Sequence, residues 1–446
     1  MEERAMKGEL NSAINETLSE LNPVTLHYFE SCVSCGLCTP HCPYIAAGPE
    51  YEPVNKAEEL RKLWRKRVTA VGYALGSIVN AGYPKGEDDL KRMTYMAYRC
   101  VNCGNCLNTC PFGIYSGELI RILRGFLSSI GRAPTILKRL SEIESGDISG
   151  HGAVMDLWNS TVEKVRGGIG KELPLDREGA EILYLPTFIE AILTPETIIS
   201  TSKILDALGI NWTLPSRPLG FEFGIGSFIG DKESERRALE RVNSYVKRIG
   251  AKKVILSHGG TTYEEMRFQM PFLIGEKVNY EILHIAEYLY ELYRAGKFRI
   301  EAGEAKVAWH DPCKLRNSGV KREPREILKA SSKGYRELPK SQGVFSRCCG
   351  GGSGVALLSE DLKELRGLLG LSQEVDGWEA EFTRDLMRDY EVVMREKAKE
   401  VVQSGAEVVV TGCPTCIFSL NKGSELTGSA FRAVHISHYL LDKIKL

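Results

Sequence analysis

Thirteen cysteines stand in this chain of 446 residues, and eight of them fall in two copies of one pattern. "SCVSCGLCTPHCP" carries Cys32, Cys35, Cys38 and Cys42, and "RCVNCGNCLNTCP" carries Cys100, Cys103, Cys106 and Cys110. C-x2-C-x2-C-x3-C-P is the spacing that wraps a cubane 4Fe-4S cluster, and where two runs occur the fourth thiolate of each turns away to ligate the other cluster. The pattern therefore predicts two cubane 4Fe-4S clusters, one on Cys32, Cys35, Cys38 and Cys110, the other on Cys100, Cys103, Cys106 and Cys42. Small residues between the ligands, Gly36 and Gly104 among them, let backbone amides approach the sulfurs and tune their potential. Structural zinc also takes four thiolates, but favours C-x2-C pairs separated by a longer spacer over ligands packed this closely.

The other five cysteines lie near the C-terminus: Cys313 in "HDPC", Cys348 and Cys349 in "SRCCGGGSG", and Cys413 and Cys416 in "TGCPTC". Adjacent cysteines cannot easily close on one metal through a stiff backbone, yet they can bridge neighbouring irons of an extended cluster. Gly350, Gly351 and Gly352 give that loop freedom to bend. A C-x2-C opening a helix after the strand-like "EVVVTG" has its thiolates stabilised by the helix N-terminus. Two plainer readings stand beside this one, five unrelated buried thiols or a zinc site using four of them. His310 and Asp311 flank Cys313 and have two readings, partners of a metal-bound sulfur or turn residues satisfied by backbone.

The elements that must position these groups can be read from periodicity. The 57 residues between the two cysteine runs are helical in pattern, as in "VNKAEELRKLWRKRVTAVGYAL", and the Gly-rich "SGDISGHGAV" (145–154) ends that region. From about residue 179 strands and helices alternate: "AEILYLP", a helix opening on Pro195 after Thr194, "INWTLP", "ESERRALERVNSYVKRIG", "AKKVILS". The same order returns from residue 305: "AKVAWHD", "PREILKAS", "YRELP", "RDLMRDYEVVMREKAKEVVQSG", "AEVVVTG". Alternation of this kind predicts a parallel sheet in each copy, whose strand ends bring their loops to one crevice.

Laid over each other, the copies differ in their chemistry. His258 falls under Cys413, Thr261 under Cys416, Pro218 and Leu219 under Cys348 and Cys349, and Phe188 or Thr187 under Cys313. None of the apolar or hydroxyl side chains is a soft anionic donor, so the first copy is expected to be a scaffold without metal. His258, one imidazole without thiol neighbours, reads as a plain polar residue. His284, His435 and His438 read as core or edge residues on helices beside the sheet, and "KAEELRKLWRKR" as a solvated basic face.

These motifs, with "CPFGI", "GINWTL", "HDPCKL" and "EPREIL", resemble the iron-sulfur proteins related to the D subunit of heterodisulfide reductase, including the K subunit of the sulfite-reductase-associated membrane complex. More distantly they resemble the iron-sulfur subunits of glycolate, lactate and anaerobic glycerol-3-phosphate dehydrogenases. The resemblance runs from about residue 28 to the C-terminus. It implies an α+β multidomain fold: a helical two-cluster ferredoxin-like domain (1–150), a degenerate CCG-type α/β domain (151–300) and an intact CCG-type α/β domain (301–446). It implies one noncubane 4Fe-4S cluster on Cys313, Cys348, Cys349, Cys413 and Cys416, with His310 beside it. In heterodisulfide reductase two such clusters flank a substrate disulfide, whereas here the first cysteine set is absent. An insert around "LSQEVDGWEAEFTRDLMRDY" also lengthens the second copy.

Composition narrows the partners. Lys plus Arg and Asp plus Glu both total 58, so no basic field exists to gather nucleic acid. The charged N-terminus lacks the pattern of a signal peptide and "VTAVGYALGSIVNAGY" is too short and polar to span a bilayer. The expected place is the cytoplasm, or the inner membrane face reached through a partner. No flavin or nicotinamide fingerprint occurs; "GIGSFIG" does not open a helix after a strand as one requires. Two functions compete: an oxidoreductase subunit reducing or forming a disulfide of a small molecule or carrier protein, and an electron conduit between a flavoprotein and a membrane cytochrome b or quinone-linked subunit.

Overall fold

The computed structural model describes residues 2–340, 342–375 and 377–446, with the side chains of 2–7 and 9 left aside. Its first 169 residues are helical, and among the described residues they contain no strand. The helix Pro53–Val68 lays Leu60, Leu63 and Trp64 against Leu119, Leu123 and Phe126 of the helix Ser116–Ser129, all buried at helical spacing. The face read as solvated is partly interior: Lys56, Glu59 and Arg61 are buried on that same helix. The cysteine loops pack over it and give Lys56 its partners, while Arg61 pairs with Glu58 and Glu59 with Lys62 and Arg92.

Two α/β units follow. The first has a parallel sheet of order β2-β1-β3-β4, with β1 Ile182–Tyr184, β2 Trp212–Thr213, β3 Lys253–Leu256 and β4 Glu281–His284. A short pair, β5 (Arg299–Ile300) with the C-terminal β9 (Ile444–Lys445), ties the end of the first unit to the end of the second. The second unit has the parallel order β6-β7-β8, with β6 Val307–Trp309, β7 Val408–Thr411 and β8 Arg432–His435. "YRELP" supplies only one parallel bridge, Ala308 to Arg336, rather than a strand. It lies at the sheet edge, and Pro339 offers no N–H to extend a ladder.

β4 and β8 correct the reading of two histidines. His284 and His435 are the last residues of those strands and cap the helices Ile285–Arg294 and Ile436–Leu440 through Nδ1, while His438 lies on the latter helix. Their Nε2–H groups meet at the junction of the units. His284 reaches Ser257 O of its own unit at 3.1 Å and Gly412 O of the other at 3.0 Å, and His435 reaches Ser257 O across the junction at 2.9 Å.

The units face each other about a pseudo-twofold axis. The helix Pro195–Ala207 of the first packs on Ile436–Leu440 of the second, and the matching helices Ile285–Arg294 and Arg322–Ser331 pack in the reciprocal pairing. Gly259 N donates to Gly412 O at 2.7 Å, so the loops leaving β3 and β7 meet at the centre. Backbone conformation repeats too: Phe223 and Ser353, in the matching loops of the two units, both take left-handed φ, 55° and 49°. For Phe223 this is a costly conformation, held because the loop is built for the same turn.

Candidate metal and redox site

The two N-terminal runs fold alike. Ser34 and Gly36 around Cys35, and Asn102 and Gly104 around Cys103, are all left-handed, with φ of 54°, 75°, 48° and 75°. This rolls each loop so that its three thiols point inward. One cavity is lined by Cys32, Cys35, Cys38 and Cys110, and a second by Cys42, Cys100, Cys103 and Cys106. Cys38 feels burial first and then the charges of Cys32, Cys110 and Cys35, which together push its thiol up to about 11. Burial followed by Cys100 and Cys103, with Cys42 further down, raises Cys106 as well. Each fourth cysteine thus sits with the other run's three. Four thiols so close that they raise one another's pKa are a poor arrangement for protons and a suitable one for a polycation core.

Lys56 donates to Cys42 Sγ at 3.4 Å and to Arg99 O at 2.6 Å from a fully enclosed position. Arg124 donates to Cys100 O at 2.8 Å, Ser353 O at 3.2 Å and Phe228 O at 3.0 Å, so one buried cation holds the ligand loop and both α/β units. Arg316 Nη2 donates to Cys103 O at 2.7 Å, and Arg316 Nη1 to Ser346 O. Charge-helix patterning gave no hint of these three residues. Their only sequence signal is a basic residue on an otherwise apolar helical face, as Arg124 is in "LIRILRGFL".

All five C-terminal cysteines line one pocket. Cys313 opens a short helix after β6, Cys348 and Cys349 lie on the Gly-rich loop, Cys413 is the N-cap of the helix Pro414–Thr427, and Cys416 is in its first turn. Four are buried and Cys313 is partly exposed. The thiol of Cys348 neighbours those of Cys103, Cys313 and Cys349, and the thiol of Cys416 those of Cys349 and Cys413. The pKa shifts follow this order: Cys348 and Cys416 are raised by thiolate neighbours. Cys349 is lowered first by Cys348, and Cys413 is lowered against its own burial by Cys416 and His258. Cys103 of the N-terminal region is lowered to about 6, chiefly by Cys348.

His310 is the clearest sign that something belongs there. It lies within 4.8 Å of Cys349 and Cys416 by its ligating atoms, it is wholly buried, and no nitrogen or oxygen partner meets either ring nitrogen, which leaves it the thiol of Cys349. A buried imidazole with only sulfur beside it is poorly satisfied, so the donor set of five thiols and this ring fits a metal centre. Asp311 has neither of its two expected roles: it is a buried ion-pair partner, accepting from Arg325 at 2.7 and 2.8 Å, from Trp309 Nε1 at 3.0 Å and from Gly343 N at 3.1 Å. The insert forms the start of the long helix Gly377–Ser404, which is fixed to the N-terminal region by Arg99–Asp389 at 2.6 Å and touches the Gly-rich loop through Tyr390 and Val393.

The emptied unit is filled rather than hollow. Phe188, first residue of its helix as Cys313 is of its own, stacks edge-on with Phe221 at 5.5 Å, and Pro218 and Leu219 are buried. Glu144 sends its carboxylate into the loop that matches the Gly-rich one. It accepts N–H bonds from Phe221, Glu222, Phe223 and Ile225 at 2.7–3.0 Å. The reading of His258 as lacking thiol neighbours is overturned: its ring hydrogen-bonds Cys413, and Glu222 Oε2 lies 3.9 Å from Nε2. Burial opposes its charge, but Glu222 and Cys413 outweigh this and raise it to about 9. The signal was in the repeat, since the residue matching Cys413 must meet Cys413 across a twofold axis.

Comparison with known proteins agrees with this layout. A 4Fe-4S dicluster domain matches residues 28–114, and a cysteine-rich domain matches 307–368 and 380–421. The D subunit of dihydromethanophenazine:CoB–CoM heterodisulfide reductase from Methanosarcina barkeri is 25% identical over 91% of both chains. An Hdr-like menaquinol oxidoreductase iron-sulfur subunit of Archaeoglobus fulgidus is 25% identical over 79% of this chain and 72% of its own. The glycolate oxidase iron-sulfur subunit of Escherichia coli is 25% identical over 75% and 83%. Among the described residues no helix is long and apolar enough to cross a membrane. The chain is therefore built as a helical 4Fe-4S dicluster domain followed by two α/β units, the second of which matches the cysteine-rich domain, and it resembles the D subunit of heterodisulfide reductase along nearly its whole length.

Proposed function

We propose that the chain is the iron-sulfur subunit of a heterodisulfide-reductase-like oxidoreductase, in which the thirteen cysteines hold two cubane clusters and one noncubane 4Fe-4S cluster and a disulfide is reduced or formed at the third. Clusters bound to such thiolates supply one-electron steps at potentials a protein tunes over roughly −700 to +450 mV. The observation that carries the reading is the contact between Cys103, a ligand of the second N-terminal site, and Cys348 of the five-thiol site. It makes one continuous line of sulfur from the dicluster region to the pocket.

The chain's own residues then divide the work. Lys56, Arg124 and Arg316 hold the ligand loops in register and offset the negative charge that thiolates collect. Burial of Cys348, Cys349, Cys413 and Cys416 keeps water from the inner face, and partly exposed Cys313 marks the side from which a sulfur substrate approaches. His310 orients toward Cys349 and Cys416. Reduction of a disulfide takes two electrons and two protons and yields two thiols; the electrons come singly from a flavoprotein or a quinone- or cytochrome b-linked partner, and the reverse reaction returns them.

A second reading, a conduit whose catalysis lies in a partner, is favoured by the relatives named as menaquinol oxidoreductase and glycolate oxidase subunits. Turnover decides between them. Anaerobic protein reduced by dithionite should reduce a small disulfide, and Cys349→Ser should abolish this while the dicluster signals persist. Electron relay between added partners without any disulfide turnover by the wild type would establish the conduit instead.

A further inference from the structure

The stretch "VTAVGYALGSIVNAGY", too short and polar to span a bilayer, forms a lobe on the N-terminal region. Its helix Ala70–Leu75 passes into the 3-10 turn Gly76–Val79, and the chain then runs back along the helix Pro53–Val68. Gly72 is the inward residue, since a methyl group there would collide with Arg65 O. Lys66 Nζ donates to Tyr73 O at 3.1 Å, Arg65 to Asn80 O at 3.1 Å, Asn80 Nδ2 to Glu58 Oε1 at 2.7 Å and Gly82 N to Lys62 O at 3.3 Å. The lobe is fixed to that helix along its length.

Its exposure is inverted. A surface helix turns its apolar side chains toward the core, yet every residue of Ala70–Leu75 except Gly72 is exposed. Val71 is 58% exposed, Tyr73 75%, Leu75 47% and Ile78 82%, with Val68 at 59% beside them. Clustered apolar exposure of this kind marks a contact surface. The charge around it is predominantly positive. No Asp or Glu occurs between Glu59 and Glu87, a stretch that holds Arg61, Lys62, Arg65, Lys66, Arg67 and Lys85. Glu58 is shared by Arg61 and Arg65, and Glu59 pairs with Lys62 and Arg92, while Lys66 and Arg67 meet no carboxylate among the described residues.

We propose that this lobe docks the chain on the surface of an anionic phospholipid bilayer. Val71, Leu75 and Ile78 enter the zone between headgroups and acyl chains, and Lys66 and Arg67 meet lipid phosphates. Lys66 Nζ lies 5.2 Å from the centroid of the Tyr73 ring, which pairs an interfacial aromatic with a cation able to extend toward the headgroups. A second copy of the chain is a poorer occupant, because it would set the same cations against one another. The lobe is convex and offers no cleft to a protein side chain; a bilayer needs none. Lipid docking of this kind is independent of the chemistry at the third centre. The helix that carries the lobe also lines, through Val54, Ala57 and Arg61, the cavity of Cys32, Cys35, Cys38 and Cys110, whose rim exposes Val33, Leu37 and Phe112. Docking thus holds the first N-terminal site one helix away from the bilayer.

The test is flotation of anaerobic full-length protein, its iron counted, with vesicles of phosphatidylcholine alone or mixed with phosphatidylglycerol. The wild type should float with the mixed vesicles and stay behind with the neutral ones, and added salt should weaken its binding. Leu75→Ser with Ile78→Ser should abolish flotation, and Lys66→Gln with Arg67→Gln should weaken it by about tenfold or more. Val402→Ser, at an apolar residue 53% exposed on the second α/β unit, should change nothing. If a double variant loses iron, Tyr73→Ser decides by the same loss of flotation. A wild type that does not float overturns the proposal, as does equal flotation of all variants or of wild type with both vesicle types. Binding to native membranes but not to lipid alone makes the occupant a membrane protein and overturns it too.

Discussion

The two α/β units share a strand order, reciprocal helix packing and a left-handed turn at Phe223 and Ser353, yet one gathers five thiols and the other a carboxylate. In the intact unit the Gly-rich loop faces the pocket between Cys348, Cys349 and the helix at Cys413. In its counterpart, Glu144 from the N-terminal helices neutralises four backbone N–H groups of the same loop. Backbone amides turned inward by such a loop need an acceptor, and in the unit without cysteines a side chain from the helical region supplies it.

That contrast can be broken from either side. Cys413→Ser should have the largest effect, removing about four irons while leaving those of the dicluster region, as iron analysis and EPR would read. Equal loss from all centres would mean that the five thiols do not form a separate site. On the other side, Glu144→Leu leaves four amides unmet and should destabilise the protein by on the order of 4 kcal/mol, seen as a lower denaturation midpoint. A neutral result would show that the carboxylate is not what replaces the cluster.

The junction of the units gives a pH test. His284 is neutral and buried, which lowers it to about 4 from 6.5, and His435 is lowered too. Unfolded imidazoles bind protons at a higher pH than these folded ones, so stability is intact above about 6.5 and falls progressively as the pH drops toward 4. Replacing both with Asn should flatten this slope relative to wild type, measured by melting temperature against pH; an unchanged slope would remove the histidines from the junction's energetics. The smallest effect is expected at the exposed Lys91–Glu381 pair, 2.8 Å apart, where Lys91→Ala should leave the melting temperature unchanged.

What the sequence makes legible follows from how local each signal is. Cysteine spacing is local, so the eight N-terminal thiols are legible as two runs, whereas the five C-terminal ones, in three segments, come together only through the strand-end loops of the predicted sheet. The repeat is legible because "AKKVILS" and "AEVVVTG" carry the same buried-strand pattern. β4 and β8 were hidden because "ILHIAEYL" and "AVHISHYL" read as uninterrupted apolar helix. The break falls at a histidine whose Nδ1 serves as the cap in place of the usual Ser, Thr, Asp or Asn. Lys56 was read as solvated, and Arg124 and Arg316 escaped notice, because a buried cation needs carbonyls or sulfur brought from other segments, and periodicity records only that a charge is present. His258 was misjudged for the same reason, its neighbour lying 155 positions away in Cys413.

The central claim is that the five C-terminal thiols hold a metal centre of their own. Iron and acid-labile sulfide in anaerobically purified full-length protein test it most directly. The account predicts about eight irons from the dicluster region and about four more, with matching sulfide, and no zinc. About eight irons in all, with none beyond those of the dicluster region, would contradict it.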